Sequence, residues 1–201
     1  MLKKNKVNFV TWGRSSETDH YAWIDMDNEK SIYILMERLV KFGHQKIALL
    51  NVHKSFNYGH QRKTAYEDFH KKHNMQLNPN YYQESLEQMT SAGGKLTKKI
   101  LNLKDPPTAI ICSQDKYFIG CLQECQKRGL EVPKDISLVG YNDHDNYLSS
   151  QNLTFISHPL SEMGKMAVEI LEKIENGVAP KKLSKLIEPI LNKGKSDKKI
   201  N

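Results

Sequence analysis

The sequence predicts an α/β protein built on parallel sheet, and three observations carry that prediction. Strand-like and helix-like stretches alternate along most of the 201 residues, the pattern of right-handed βαβ crossovers. The strand-like stretches, such as Lys46 to Val52 and Ile136 to Tyr141, hold too few polar residues for a solvated face, so both their faces are expected to be buried. Turn formers punctuate the alternation at Gly43, Asn78-Pro79-Asn80, Asp105-Pro106-Pro107 and Gly129.

The first two strands are short. Asn8 to Trp12 is a β-favouring run ended by Gly13, and Trp23 to Met26 is another, closed by the capping candidates Asp27 and Asn28. A helix follows, because Ile32, Leu35, Met36, Leu39 and Val40 recur at three- and four-residue steps and Gly43 supplies the stop. Lys46 to Val52 is a strand, and the next helix runs from about Tyr58 to His73 with Ala65, Tyr66 and Phe69 inward. Tyr81 to Glu84 is a weaker strand, and Thr90 to Leu103 a helix carrying Leu96, Ile100 and Leu101. The double proline at 106 and 107 then turns the chain into the strand Ala109 to Ser113. Lys116 to Arg128 is a helix burying Ile119, Leu122 and Cys125, followed by the strand ending at Tyr141. Beyond a polar run come a strand at Thr154 to Ser157, a helix from Ser161 to Asn176, and a last extended piece around Lys185 to Leu191 that Pro189 confines to an edge. The residues KGKSDKKIN read as a loose tail.

Composition narrows the class. With 38% hydrophobic and 26% charged residues the chain is a globular protein with enough apolar mass for a sizeable core, arranged as one large α/β unit or two small lobes. No apolar stretch approaches bilayer length, and MLKKNKVNFV has no apolar segment behind its lysines, which predicts a cytoplasmic protein with no membrane partner. Cys112, Cys121 and Cys125 make a poor disulfide framework and lack a CxxC, so they are expected to be small core residues rather than metal ligands. The net charge of +7 comes from dispersed lysines, without the clustered basic face or reading element that nucleic-acid binding needs.

In open parallel sheets ligands bind outside the carboxyl ends of the strands. Reading those ends gives Arg14 after the first strand, Arg62 in the first turns after the Lys46 strand, Gln114 and Asp115 after the Ala109 strand, and Asn142 and Asp143 after Tyr141. These groups bond well and attack poorly. Guanidinium, carboxylate and carboxamide grip vicinal hydroxyls in pairs, so a sugar is the economical expectation. Each also has a structural use: Arg62 can pair with a surface acid, Gln114 and Asp115 can cap the following helix, and Asn142 can shape a turn. Their shared location favours the ligand reading. Catalysis finds less support, since GxGxxG and GxSxG are missing and Gly94-Lys95 is followed by Leu96 where a phosphate-binding loop needs Ser or Thr. Asp143-His144-Asp145, and His70 with His73, read as solvated surface. No cofactor and no metal are expected.

The segments NFVTWGRS, AWIDMDNEKS, LVKFGHQKIALL, QRKTAYEDF, PPTAIICSQDKYFIG, KRGLEVPKDISLVGYNDHD, LTFISHPLSEMGKMAVEIL and LIEPILNKGKS, in that order, resemble the effector-binding core of the LacI/GalR family of bacterial transcriptional regulators. The run RGLEVPKDISLVGYND is the most specific of them. The resemblance implies a two-lobed, periplasmic-binding-protein-like core of parallel, doubly wound sheets, in which a small effector, commonly a sugar, sits between lobes whose closure changes a homodimer. By position it implies ligand contacts at Arg62, Gln114 and Asn142 in the second lobe, Arg14 in the first, and Gln88 as a further pocket residue. Asn142 stands where many members have Asp, and Ala65 where most have Gly. Family members open with a helix-turn-helix domain and the first βα units of the first lobe. The first lobe is therefore expected to be incomplete, and DNA contact to require a headpiece missing from this chain. The expected division is residues 1–44 with 154–180 as a partial first lobe, 45–152 with 183–196 as the second, and 197–201 as the tail. The implied activity is sugar sensing by binding, not catalysis. The alternatives are a stand-alone solute-binding protein for sugar uptake and a non-sensing remnant that only dimerises.

Overall fold

The computed structural model describes residues 7–15, 21–142 and 152–200. Its elements alternate as the sequence predicts: β1 (Val10–Trp12), β2 (Ala22–Met26), α1 (Asn28–Lys41), β3 (Ile47–Val52), α2 (Asn57–Lys72), β4 (Tyr82–Ser85), α3 (Thr90–Leu101), β5 (Ala109–Cys112), α4 (Asp115–Lys127), β6 (Ser137–Asn142), β7 (Thr154–Ser157), α5 (Leu160–Glu175), β8 (Lys185–Ile187) and β9 (Ile190–Asn192). They form a three-stranded sheet in the order β1-β2-β8 and a six-stranded sheet in the order β4-β3-β5-β6-β7-β9. Every pairing is parallel except that of β7 with β9.

The six-stranded sheet holds the larger core. All six residues of β3 are buried, and so are all four of β5, as apolar runs without alternation require. Ala48, Leu50, Val52, Ile110, Cys112 and Leu138 share one cluster with Ala92, Leu96 and Ile100 of α3 and Phe118, Cys121 and Cys125 of α4. All three cysteines are buried there, as expected of small core residues. The α3 and α4 backbones approach so closely that a Cβ on Gly120 would lie 2.1 Å from Thr90 O, so only glycine fits. On α1, the stripe Ile32, Leu35, Met36 and Leu39 is fully buried. The helix stops at Gly43, whose φ of +93° lets the His44 N–H reach back to Leu39 O at 3.1 Å.

The chain separates into two compact units, residues 1–27 with 158–189 and residues 28–157 with 190–201. This corrects the expected division in three places. Helix α1, expected in the first lobe, packs on α2 and belongs to the second unit. Strand β7, expected to return to the first lobe, pairs in parallel with β6 through Val139–Thr154, Gly140–Phe155 and Tyr141–Ile156. The extended piece at 185–191 is two strands on two sheets: β8 pairs with β2, β9 pairs with β7, and Glu188-Pro189 separates them. Proline has no N–H for a ladder, so the break falls where pairing must stop.

The tail is also not loose over its described residues. Ser196 Oγ donates to Leu138 O at 2.6 Å and accepts from Thr154 N, while Leu138 N donates to Ser196 O. Asp197 receives both Nε and Nη2 of Arg38, at 2.5 and 3.1 Å, and its side chain is fully buried. Lys198 O meets His44 Nε2 at 3.1 Å, and Ile200 N donates to Phe42 O. Ser196 and Asp197 are buried with their side-chain groups hydrogen-bonded.

The first unit is smaller. Ala22 and Ile24 of β2 pack against Met163 and Ile170 of α5, with Val10, Met166, Ala167, Ile174 and Ile187 around them. Trp12 and Leu186 remain 56% and 46% exposed.

Candidate functional site

The carboxyl ends of β3, β4 and β5 bring three of the expected residues together. Asn51, the one polar residue in β3, is fully buried and donates from Nδ2 to Gly59 O at 2.8 Å, tying the strand's end to the first turn of α2. That bond sets where Arg62 emerges one turn further on. Ser113, just past β5, clips the neighbouring strand by accepting from Val52 N at 3.1 Å.

Arg62 is only 3% exposed. Its Nη1 donates to Ser113 O at 2.6 Å and its Nε to Asn28 Oδ1 at 3.0 Å, and Asn28 Nδ2 donates in turn to Gln61 Oε1. The guanidinium carbon lies 4.0 Å from the centre of the Tyr141 ring and 5.2 Å from that of Tyr58. Two π faces and two neutral acceptors therefore hold the cation. No pairing with a surface acid, which the sequence allows, occurs among the described residues.

Gln88 joins the same group through Tyr58, donating from Nε2 to the Tyr58 hydroxyl at 3.1 Å. Gln114 follows Ser113 directly and starts α4, yet its side chain forms no cap. It is 7% exposed, and its Nε2 has no hydrogen bond of normal geometry among the described residues. The amide lies near the Tyr117 hydroxyl, which is directed instead at Glu87 O (2.8 Å) and Ser85 O (3.3 Å). Burial pushes the Tyr117 phenol up to about 12, so it stays protonated and acts as a donor at neutral pH. Asp115 turns Oδ1 onto the adjacent Lys116 N–H at 2.7 Å.

Arg14 lies in the other unit, where Nε faces Asp25 Oδ2 at 3.3 Å and the guanidinium sits 5.4 Å from the Trp23 ring centre. The backbone of Asn142 ends β6 opposite Ser157, while its side chain lies outside the described residues, as do residues 143–151 with Asp143, His144 and Asp145. Sequence reasoning missed Asn28, Asn51, Tyr58 and Tyr141. A polar residue inside an otherwise apolar strand was the signal for Asn51; Asn28 read only as a cap. No group of three or more His, Cys, Asp or Glu among the described residues is placed to hold a metal ion.

The edge offers hydrogen-bond donors and aromatic faces; beside them, on an exposed turn, Ser55 Oγ meets His53 Nδ1 at 2.9 Å and His53 Nε2 faces Glu84 Oε1 at 3.6 Å, and no metal cluster occurs among the described residues. Residues 36–196 match the model of the periplasmic binding protein-like domain. The chain is 32% identical over 148 residues to the ribose operon repressor of Haemophilus influenzae, covering 72% of this chain and 44% of that protein. It is 32% identical over 184 residues to the transcriptional repressor PurR of Aliivibrio fischeri, covering 88% and 53%. A crystal structure of a regulatory protein of the LacI family from Chloroflexus aggregans superposes with a TM-score of 0.88 at 27% identity, over 98% of this chain and 70% of that one. The chain thus spans about half the length of the curated relatives it matches.

Proposed function

Because the chain belongs to the periplasmic binding protein-like domain family, as the effector-binding core of LacI-type regulators, we propose that it senses a small polyhydroxylated effector for a cytoplasmic transcriptional regulator. Its activity is binding, not catalysis. Arg62, Gln88 and Gln114 are the ligand contacts of the larger unit, with Arg14 and Asn142 completing the set. The observation that carries this reading is the convergence of Arg62, Tyr58, Gln88 and Gln114 at the ends of three adjacent strands. Carboxamides and a guanidinium grip hydroxyls in pairs, and tyrosine faces pack on the C–H side of a sugar ring.

In a homodimer whose protomers carry DNA-binding headpieces, effector shifts the population toward the arrangement it binds better, which couples the site to operator affinity. The repressor names of the relatives support that direction. The test is thermal unfolding of the chain against a panel of pentoses, hexoses and their derivatives. A ligand that binds only the folded state raises the midpoint, by the equivalent of about 2.7 kcal/mol at a hundredfold excess over Kd. A midpoint unmoved by every compound rejects the reading.

A further inference from the structure

We infer that the effector is an anion, a sugar derivative whose carboxylate or phosphate oxygens pair with Arg62; this rests on the binding role proposed above and adds the charge of the ligand. A cation taken out of water is ordinarily paired with an anion, because neutral partners replace only part of its hydration. Arg62 is 3% exposed, yet no ion pair among the described residues includes it. Arg38 shows the contrast within the same unit: it is less buried and has a bidentate carboxylate in Asp197. The acceptors around Arg62 are an amide oxygen and a backbone carbonyl, and the two tyrosine faces supply only quadrupole attraction.

The second observation is independent. Gln114 Nε2, one residue beyond the carbonyl that holds Arg62, is a buried donor without a hydrogen bond of normal geometry among the described residues. Neither bond of Arg62 uses its Nη2 protons. Arg62 Nη2 and Gln114 Nε2 are both donors, although Asn51 Oδ1 at the end of β3 is a buried acceptor; a group that only accepts, with several lone pairs and a negative charge, satisfies the two donors. A neutral sugar hydroxyl brings its own proton and leaves the buried charge unbalanced. Asp115, the carboxylate next to Gln114, accepts from its own helix's backbone at Lys116 N.

The experiment uses the full chain and matched triples built on one sugar skeleton at a time: the neutral aldose, its aldonate and its phosphate ester. Binding is followed by calorimetry and thermal shift at constant ionic strength. An anionic member that binds at least tenfold tighter than its neutral parent is the expected result, and the carboxylate and phosphate arms identify which anion serves. An Arg62→Gln protein that keeps its circular dichroism and loses the preference confirms the partner; the wild-type comparison stands by itself if that variant does not fold. A neutral aldose that binds as tightly as its anionic derivatives overturns the inference and leaves sugar sensing intact. Failure of every triple to bind overturns both.

Discussion

Arg62 depends on neutral groups, so each acceptor around it matters individually. Removing the Asn28 carboxamide strands the Arg62 Nε–H in a buried place, and an unmade buried hydrogen bond costs about 1–3 kcal/mol. Asn28→Ala is therefore expected to lower the urea midpoint by that equivalent and to weaken effector binding, whereas substitution of the exposed Lys95 is expected to do neither. Two histidines set a pH dependence. Burial lowers the proton affinity of His44 and His70 below the ordinary 6.5, against smaller opposing contributions from the Lys198 and Tyr66 carbonyls. The unfolded chain then takes up protons that the folded chain refuses, so their contribution to stability is complete above 6.5 and declines as pH falls toward the depressed folded values. Urea midpoints at about pH 7.5 and pH 5 are expected to differ less in His70→Gln than in the parent, after the common effect of the carboxylates cancels in the comparison.

At the level of elements, the legible parts were those whose own residues declare their burial. Strand β3 reads from its apolar run Ile47 to Leu50, and α1 reads from a five-residue apolar stripe closed by Gly43. Partner choice was illegible, since nothing in Thr154 to Ser157 says which parallel neighbour it joins; that is decided by β6 and by Ser196 lying against both. The last described residues misled for a physical reason. Hydropathy assigns KGKSDKK to water, but Ser196, Asp197 and Lys198 replace water with bonds to β6, β7 and α1. Asp197→Asn is accordingly expected to cost about 3–5 kcal/mol, the penalty for leaving a buried partner charge uncompensated, read as a shift in the denaturation midpoint. In the site, Arg62 was visible because it follows a strand end, while its aromatic clamp was not, because Tyr58 and Tyr141 are far apart in sequence.

For the whole molecule, the two units differ in how much they bury. The larger has a six-stranded sheet with α3 and α4 packed on one face and its own antiparallel edge strand; the smaller has three short strands, one long helix and exposed Trp12 and Leu186. Limited proteolysis followed by mass spectrometry is expected to cut within residues 7–27 and 158–189 well before 28–142, because local opening follows the scarcity of buried apolar contacts. Equal resistance of the two regions contradicts that order. The short joint at Glu188-Pro189 carries a further consequence for biogenesis. Strand β9, Ser196 and Asp197 come far along the chain from β3, yet they complete the larger sheet begun there. A fragment that stops at Pro189 lacks the outer strand of its main sheet and leaves the Arg38 cation without its carboxylate, so the larger unit cannot mature ahead of the segment that follows the joint.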